Sequence, residues 1–362
     1  MERKNRYKIL TVVGARPQFI KAAALSRAIA IHDQLYEVIV HSGQHYNHNL
    51  SESFFTELNI PTPKYNLGIG SKSHNNLIGE FLILFDAIID KENPDIILVY
   101  GDTNTTAAAA IAAAKRNIPL VHVEAGLREF DKSIPEEVNK LITDSITDIY
   151  FCPTQTGVNN LKKEGKTEQV YLTGDISLDL LFRDTKYLTK SEVITKYKVP
   201  GDYIFMTCHR VSNTSDAETL GGILSAVSSC NRAVIFPLHP RTKAAINKYN
   251  LTHLLGENIT IVDPLGFWET QSILKHSALA VTDSGGIIKE AYFHKVPGII
   301  IDTQTEWIET IDEGWNTIVG PNQQAILKAI ANTTKPSIHT NALGNGTCGS
   351  NIVDIIVRYL EK

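Results

Sequence analysis

The feature that most limits the fold is a recurrence of short, β-branched apolar runs, each followed by a longer helix-like stretch. In the first half these runs are KILTVV (8–13), EVIVHS (37–42), DIILVY (95–100), IPLVHV (118–123), DIYFCP (148–153) and QVYLTG (169–174). Most carry no polar alternation, the pattern of parallel strands covered on both faces. Between them lie helix candidates such as TTAAAAIAAAKRN (105–117), rich in alanine, the strongest helix former. The pattern restarts with YIFMTC (203–208), AVIFPL (233–238), ITIV (259–262), LAVT (279–282) and GIII (298–301). The charged stretch RDTKYLTKSEVITKYKVPGD (183–202) separates the two sets and reads as a linker with a short lead-in helix. Two β/α sets in succession predict an α/β chain of two doubly wound, Rossmann-like domains facing each other across a cleft. The boundaries fall at 1–180 and 181–348, with the amphipathic segment GSNIVDIIVRYLEK (349–362) expected to return to the first domain.

Length agrees with this division, since 362 residues exceed what one compact core usually holds. With 43% apolar and 20% charged residues the chain has an ordinary globular balance. Its net charge of −4 and lack of a long basic block argue against nucleic acid as a partner. Four cysteines without CxxC spacing read as free thiols of a reducing compartment. No apolar stretch approaches the ~18–20 residues that span a bilayer, and the N-terminus lacks the long apolar core of a signal peptide. A cytoplasmic protein without a membrane partner is the expectation.

In open α/β sheets ligands bind beyond the carboxyl ends of the strands, so the residues after each run carry the functional reading. GARPQFIK follows the first run. Gly14 permits a tight turn, Pro17 can start the helix, and Arg16 and Lys21 bring positive charge to a helix terminus that already favours anions. There is no G-x-G-x-x-G, so a dinucleotide fingerprint is not supported. GDTNTT (101–106) puts Asp102 after a strand, where it or Thr103 would serve as a simple helix N-cap. Glu124 holds the equivalent place on the next run. Two carboxylates at adjacent strand ends would share a site as one general base and one general acid. Acids gather further in HVEAGLREFDKSIPEEVNK (122–140), where Glu129 and Asp131 read as solvated loop charges and Glu136 opens the next helix. Glu137 is expected to face away from it.

In the second half, His209 and Arg210 follow one strand and His239 and Arg241 another. No metal-ligand spacing appears, so no metal is inferred. The strongest single signal is VTDSGGIIKEA (281–291), where a strand runs into Ser284, Gly285 and Gly286 and then a helix. Consecutive glycines let backbone N–H groups approach a phosphate, and the helix dipole reinforces them. Glu290, one turn in, is placed to accept hydrogen bonds from sugar hydroxyls, and Thr305 and Glu306 follow the next strand. Together these favour a nucleotide-diphosphate site.

The ordered set GARPQFIK, GDTNTT, HVEAGLR, PEEVNK, DSGG with Glu290, TEW and GNGTCGSNI resembles the non-hydrolysing UDP-N-acetylglucosamine 2-epimerases over nearly the whole chain. The resemblance implies two Rossmann-like domains as in glycogen phosphorylase and GT-B glycosyltransferases, and a homodimer without metal or nicotinamide. It also implies inversion at C2 of a UDP-linked 2-acetamido sugar by anti elimination of UDP and re-addition to a glycal, in surface polysaccharide synthesis. Carried over by motif, Asp102, Glu124 and Glu136 are the acid/base candidates, with His209 in the catalytic set. Arg16, His209, Ser284, Gly285 and Gly286 would hold the diphosphate and Glu290 the ribose. Lys21, Lys140, Arg210, His239, Thr305 and Glu306 complete the expected substrate contacts.

Several positions depart from the family. Lys140 stands where an arginine is common, which reduces a bidentate contact to a point charge. CHRVSN lacks the second arginine and the glutamate of the usual His-Arg-Arg-Glu-Asn, and TEWIE replaces Thr-Glu-Arg-Pro-Glu. GQHYNHN (43–49) differs from the stretch that binds activating UDP-GlcNAc in regulated bacterial members, so that activator is not expected. GARPQF, GDTNTT, PLHPRT and QTEW are more similar to the branch acting on UDP-2,3-diacetamido-2,3-dideoxy-glucuronate in O-antigen synthesis. UDP-GlcNAc epimerisation is the broad expectation, the diacetamido-uronate its close rival, and a GT-B glycosyltransferase the rival of a different class.

Overall fold

The structure, a computed structural model, describes residues 6–43, 56–70, 72–183 and 187–362, and of Arg16 and Arg183 the backbone alone. The divergent GQHYNHN stretch lies, after Gly43, outside the described residues. The chain divides into two compact units, Met1–Arg183 with Leu343–Lys362, and Asp184–Ala342.

The first unit is built on a parallel sheet of β1 (Tyr7–Val13), β2 (Leu35–His41), β3 (Tyr65–Asn66), β4 (Ile96–Tyr100), β5 (Leu120–Val123), β6 (Ile149–Cys152) and β7 (Val170–Leu172). The strand order is β3-β2-β1-β4-β5-β6-β7, so the order reverses between β1 and β4. That reversal is the doubly wound switch point, where helices leave the sheet on opposite faces and a crevice opens. Every residue of β4 is fully buried, which is why DIILVY shows no polar alternation. The helix Asn104–Lys115 lies close on the sheet because its inward side chains, Ala107 to Ala110 and Ala113, are only methyl groups. The final helix, Cys348–Leu360, buries Ile352, Val353, Ile356 and Val357, an i, i+4 stripe, and packs on the helix Arg16–Ile31.

The second unit repeats the plan with β8 (Tyr203–Thr207), β9 (Ala233–Pro237), β10 (Ile259–Val262), β11 (Leu279–Thr282), β12 (Gly298–Ile300) and β13 (Asn316–Ile318). Their order is β10-β9-β8-β11-β12-β13, again parallel, with the reversal between β8 and β11. Ile204, Met206, Val234, Phe236, Val281 and Ile299 form one core layer with Leu220, Ile223 and Leu224 of the helix Ala217–Ser228. The expected α/β architecture of two Rossmann-like domains is therefore present.

Candidate active site

In the first unit β1 pairs with β4 and β4 with β5, which brings three strand ends side by side. Gly14 begins the turn after β1, where an added Cβ would collide with the Ser42 and Thr105 hydroxyls. Gln18, which the sequence reading passed over, ties two turns together. Its Oε1 accepts the N–H groups of Gly14 (2.7 Å) and Ala15 (3.0 Å). Its amide donates to the Tyr100 carbonyl (2.9 Å) and to the hydroxyls of Thr103 (3.0 Å) and Thr106 (2.8 Å). One helical turn further, Lys21 is buried beneath the strand ends. Arg16 opens the same helix.

Asp102 follows β4 and Glu124 follows β5, with Tyr100 and Val123 in register. The capping role falls to Thr103, whose hydroxyl accepts the Thr106 N–H (3.2 Å), which leaves the Asp102 carboxylate for other partners. Lys140 Nζ lies 3.8 Å from Asp102 Oδ2 and 3.6 Å from Glu129 Oε2. Asn139 donates to the Asp102 carbonyl at 2.9 Å. Glu124 forms an ion pair with Lys21. The two strand-end acids thus face different ammonium groups, that of Lys140 being shared with Glu129. Glu124 also sits at φ 73°, the left-handed region that a non-glycine residue seldom adopts, a form of strain concentrated at functional sites.

One loop expectation changes, while Glu137 faces away from Glu136 as expected. Glu129 is not solvated, because its side chain is only 9% exposed beside Lys140. Glu137 points inward and its carboxylate accepts the N–H groups of Glu129 (2.8 Å) and Phe130 (3.1 Å), which closes the loop onto the helix Pro135–Ser145. Glu136 is exposed on the first turn of that helix, and Asp131 is exposed as well. Glu136 stands four residues before Lys140, so the two share one helix face.

Beneath these acids lies a buried ionic chain. His122 Nδ1 is 2.7 Å from Asp144 Oδ1, and Arg128 Nη1 is 2.7 Å from Asp144 Oδ2. The rest of the Arg128 fork grips Glu164 through two contacts of 2.8 Å. Burial pushes the Asp144 carboxyl up, but the His122 and Arg128 charges and hydrogen bonds outweigh it and hold the group below the usual carboxylate range.

In the second unit the centre of the switch point is Asp283, fully buried and also passed over by the sequence reading. Its Oδ2 accepts the N–H groups of His209 and Arg210 (both 2.8 Å) and the Asn213 amide (3.0 Å). Its Oδ1 lies 3.3 Å from His209 Nδ1. The loop after β8 is therefore folded around one carboxylate at the end of β11. Arg210 reaches Asp302 at 2.8 Å. His239 caps the helix Pro240–Lys248 by accepting the Arg241 N–H (3.1 Å), and its ring centroid lies 5.3 Å from that of His209.

Ser284 is the N-cap of the helix Gly285–Phe293, its hydroxyl facing the Ile287 N–H. Gly285 and Gly286 are the first two helical residues, whose N–H groups have no intrahelical acceptor and point out of the helix end. A Cβ on Gly286 would stand 3.9 Å from Glu290 Oε1, so the Glu290 carboxylate borders the glycine pair. Thr305 Oγ1 accepts the Trp307 N–H at 3.3 Å, and Glu306 lies between them, half-buried. Trp307 is buried against Gly285, with Lys289 Nζ 4.9 Å from its ring centroid. Among the described residues no cluster of three or more His, Cys, Asp or Glu side chains is arranged to hold a metal ion.

Two doubly wound units, one with acids at its strand ends and one with a glycine-rich helix entry, define an α/β protein of the class that binds ligands beyond the carboxyl ends of its strands. A profile of the family described as UDP-N-acetylglucosamine 2-epimerase matches residues 27–357, and the chain belongs to that family. A UDP-N-acetylglucosamine 2-epimerase homolog of Methanococcus maripaludis is 43% identical, covering 96% of this chain and 99% of its own. A UDP-2,3-diacetamido-2,3-dideoxy-D-glucuronate 2-epimerase of Pseudomonas aeruginosa is 39% identical, covering 98% of this chain and 99% of its own. The crystal structure of Methanocaldococcus jannaschii UDP-GlcNAc 2-epimerase in complex with UDP-GlcNAc and UDP superimposes with a TM-score of 0.89. It is 37% identical and covers 97% of this chain and 99% of its own. The chain is an epimerase, an isomerase with the fold of these enzymes.

Proposed function

We propose that the protein inverts C2 of a UDP-linked 2-acetamido sugar, of the UDP-GlcNAc to UDP-ManNAc type. The observation that carries this reading is the pair of strand-end acids, Asp102 and Glu124, beside different lysines, Lys140 and Lys21. A base removes the proton from C2 while the C1–O bond to UDP breaks, which gives a C1=C2 glycal and free UDP. A proton then enters the opposite face of C2 as a UDP oxygen re-adds to C1. Asp102, Glu124 and Glu136 supply the acid and base, because two proton transfers on opposite faces need two positioned groups.

The departing diphosphate needs positive charge and hydrogen-bond donors that act as the C–O bond opens. The N–H groups of Gly285 and Gly286, Ser284, His209 and Arg16 fill this role, and Glu290 binds the ribose. Lys21 and Lys140 hold the acids, and Arg210, His239, Thr305 and Glu306 are further substrate contacts. A UDP-2,3-diacetamido-2,3-dideoxy-glucuronate substrate is the second reading, favoured by the motif set GARPQF, GDTNTT, PLHPRT and QTEW and by the Pseudomonas aeruginosa relative. A homodimer in the cytoplasm that supplies surface polysaccharide synthesis completes the proposal and rests on the motif resemblance.

Positional isotope exchange tests the bond-breaking step. With oxygen-18 in the bridge between C1 and the β-phosphorus, elimination frees UDP and the label scrambles into the non-bridging β-phosphate positions. Retention of the label in the bridge during epimerisation would rule elimination out.

A further inference from the structure

We propose that His122 is a buried imidazolium, both of its ring nitrogens donating, that positions the two strand-end acids. The positioning role rests on the reading of Asp102 and Glu124 given above. His122 is fully buried on β5, two residues before Glu124. Its Nδ1 faces Asp144 Oδ1 at 2.7 Å and its Nε2 faces the Gly101 carbonyl at 2.8 Å. A carbonyl and a carboxylate only accept, so either neutral tautomer would set a bare ring nitrogen against an oxygen lone pair. Only the doubly protonated ring satisfies both contacts.

The surroundings balance that charge. Asp144 Oδ2 is already taken by Arg128 (2.7 Å) and the Gly126 N–H (3.1 Å). Arg128 is in turn shared with Glu164. With His122 protonated the chain His122–Asp144–Arg128–Glu164 holds two cations and two carboxylates. From β6, Tyr150 donates only to the Asp144 backbone carbonyl (3.0 Å), and the Cys152 thiol is pushed up by burial and adds no charge.

The ring holds the carbonyl of Gly101, the residue directly before Asp102, at φ 58°. A Cβ there would lie 3.0 Å from Lys21 Nζ and 3.1 Å from Glu124 Oε2, so the turn that leads into Asp102 packs against the Lys21–Glu124 ion pair. His122 thus anchors the Asp102 turn and the Glu124 strand end to one buried ionic chain. It is a positioning residue, since it acts through Gly101 and Asp144 and not on substrate.

Nitrogen-15 histidine labelling of the wild-type protein, with His122 assigned by its loss in His122→Gln, tests the charge directly. At neutral pH both ring nitrogens of His122 should carry hydrogen. One unprotonated ring nitrogen at neutral pH would overturn the imidazolium. In kinetics, His122→Gln should lower kcat about tenfold or more, the scale of a small misplacement of reacting groups. KM and UDP affinity should stay near wild type. Wild-type kcat, or equal losses in kcat and UDP affinity, would overturn the positioning role. A wild-type protein without epimerase turnover would sink the acid/base reading and the positioning role together, while the NMR arm still decides the imidazolium.

Discussion

Lys21 on the first helix and Glu124 at the end of β5 form an ion pair in which both side chains are largely buried, 7% and 11% exposed. An ammonium against a carboxylate favours its charged form, so removing the cation raises the pKa of the acid. A base must be deprotonated to act. In Lys21→Met the acidic limb of the kcat/KM profile should therefore move to higher pH, which a steady-state pH series reads. An unmoved limb would mean that Glu124 is not the group titrating there.

Glu124→Gln keeps the shape and removes the proton-transfer capacity. Turnover should fall by about a hundredfold or more, the usual contribution of a positioned acid or base. Circular dichroism should show an intact fold. Near-wild-type turnover would remove Glu124 from the chemistry.

Asp283 accepts three hydrogen bonds through one oxygen, so Asp283→Ala leaves three donors at the end of β11 without their acceptor. A stability loss of about 2–4 kcal/mol is expected in a denaturant titration. UDP affinity should weaken with it, because the His209 loop is folded around this carboxylate. Asp283→Asn, which keeps one oxygen, should lose less.

Glu92 ends the helix His74–Glu92 and meets Lys8, Lys64 and Tyr65. Burial pushes its carboxyl up, but hydrogen bonds from Lys64, Tyr65 and Lys8 outweigh that and bring it down to about 2. A carboxylate with a lowered folded-state pKa stabilises the fold fully above its unfolded value. That contribution disappears as pH falls through the folded value. Stability should thus decline from about pH 5 to about pH 2, by on the order of 2 kcal/mol from this residue, since Lys64 is half-exposed and screened. In Glu92→Gln the wild-type excess should vanish over that window, as thermal denaturation at stepped pH would show.

The parallel strands were legible because burial on both faces leaves uninterrupted apolar runs such as DIILVY and YIFMTC. The strands Tyr65–Asn66 and Asn316–Ile318 were not, because short edge strands need no apolar run. Asp102 and Glu124 stood out because they follow strands. The partners that hold them depend on contacts between distant segments. Gln18 reaches the Tyr100 carbonyl across the β1–β4 junction, and Lys140 comes from a later helix to face both Asp102 and Glu129. Glu129 looked like a loop charge because its cation is eleven residues away and arrives only when the helix Pro135–Ser145 docks. Asp283 was overshadowed by the glycines beside it, although its burial at a strand end organises the whole His209 loop.

Incubation in deuterium oxide with UDP-GlcNAc, and separately with UDP-2,3-diacetamido-2,3-dideoxy-glucuronate, followed by proton NMR, tests the central claim most directly. Epimerisation through loss of the C2 proton predicts deuterium at C2 of substrate or product for one of the two, together with the C2 epimer. Absence of deuterium from C2 in both would contradict it.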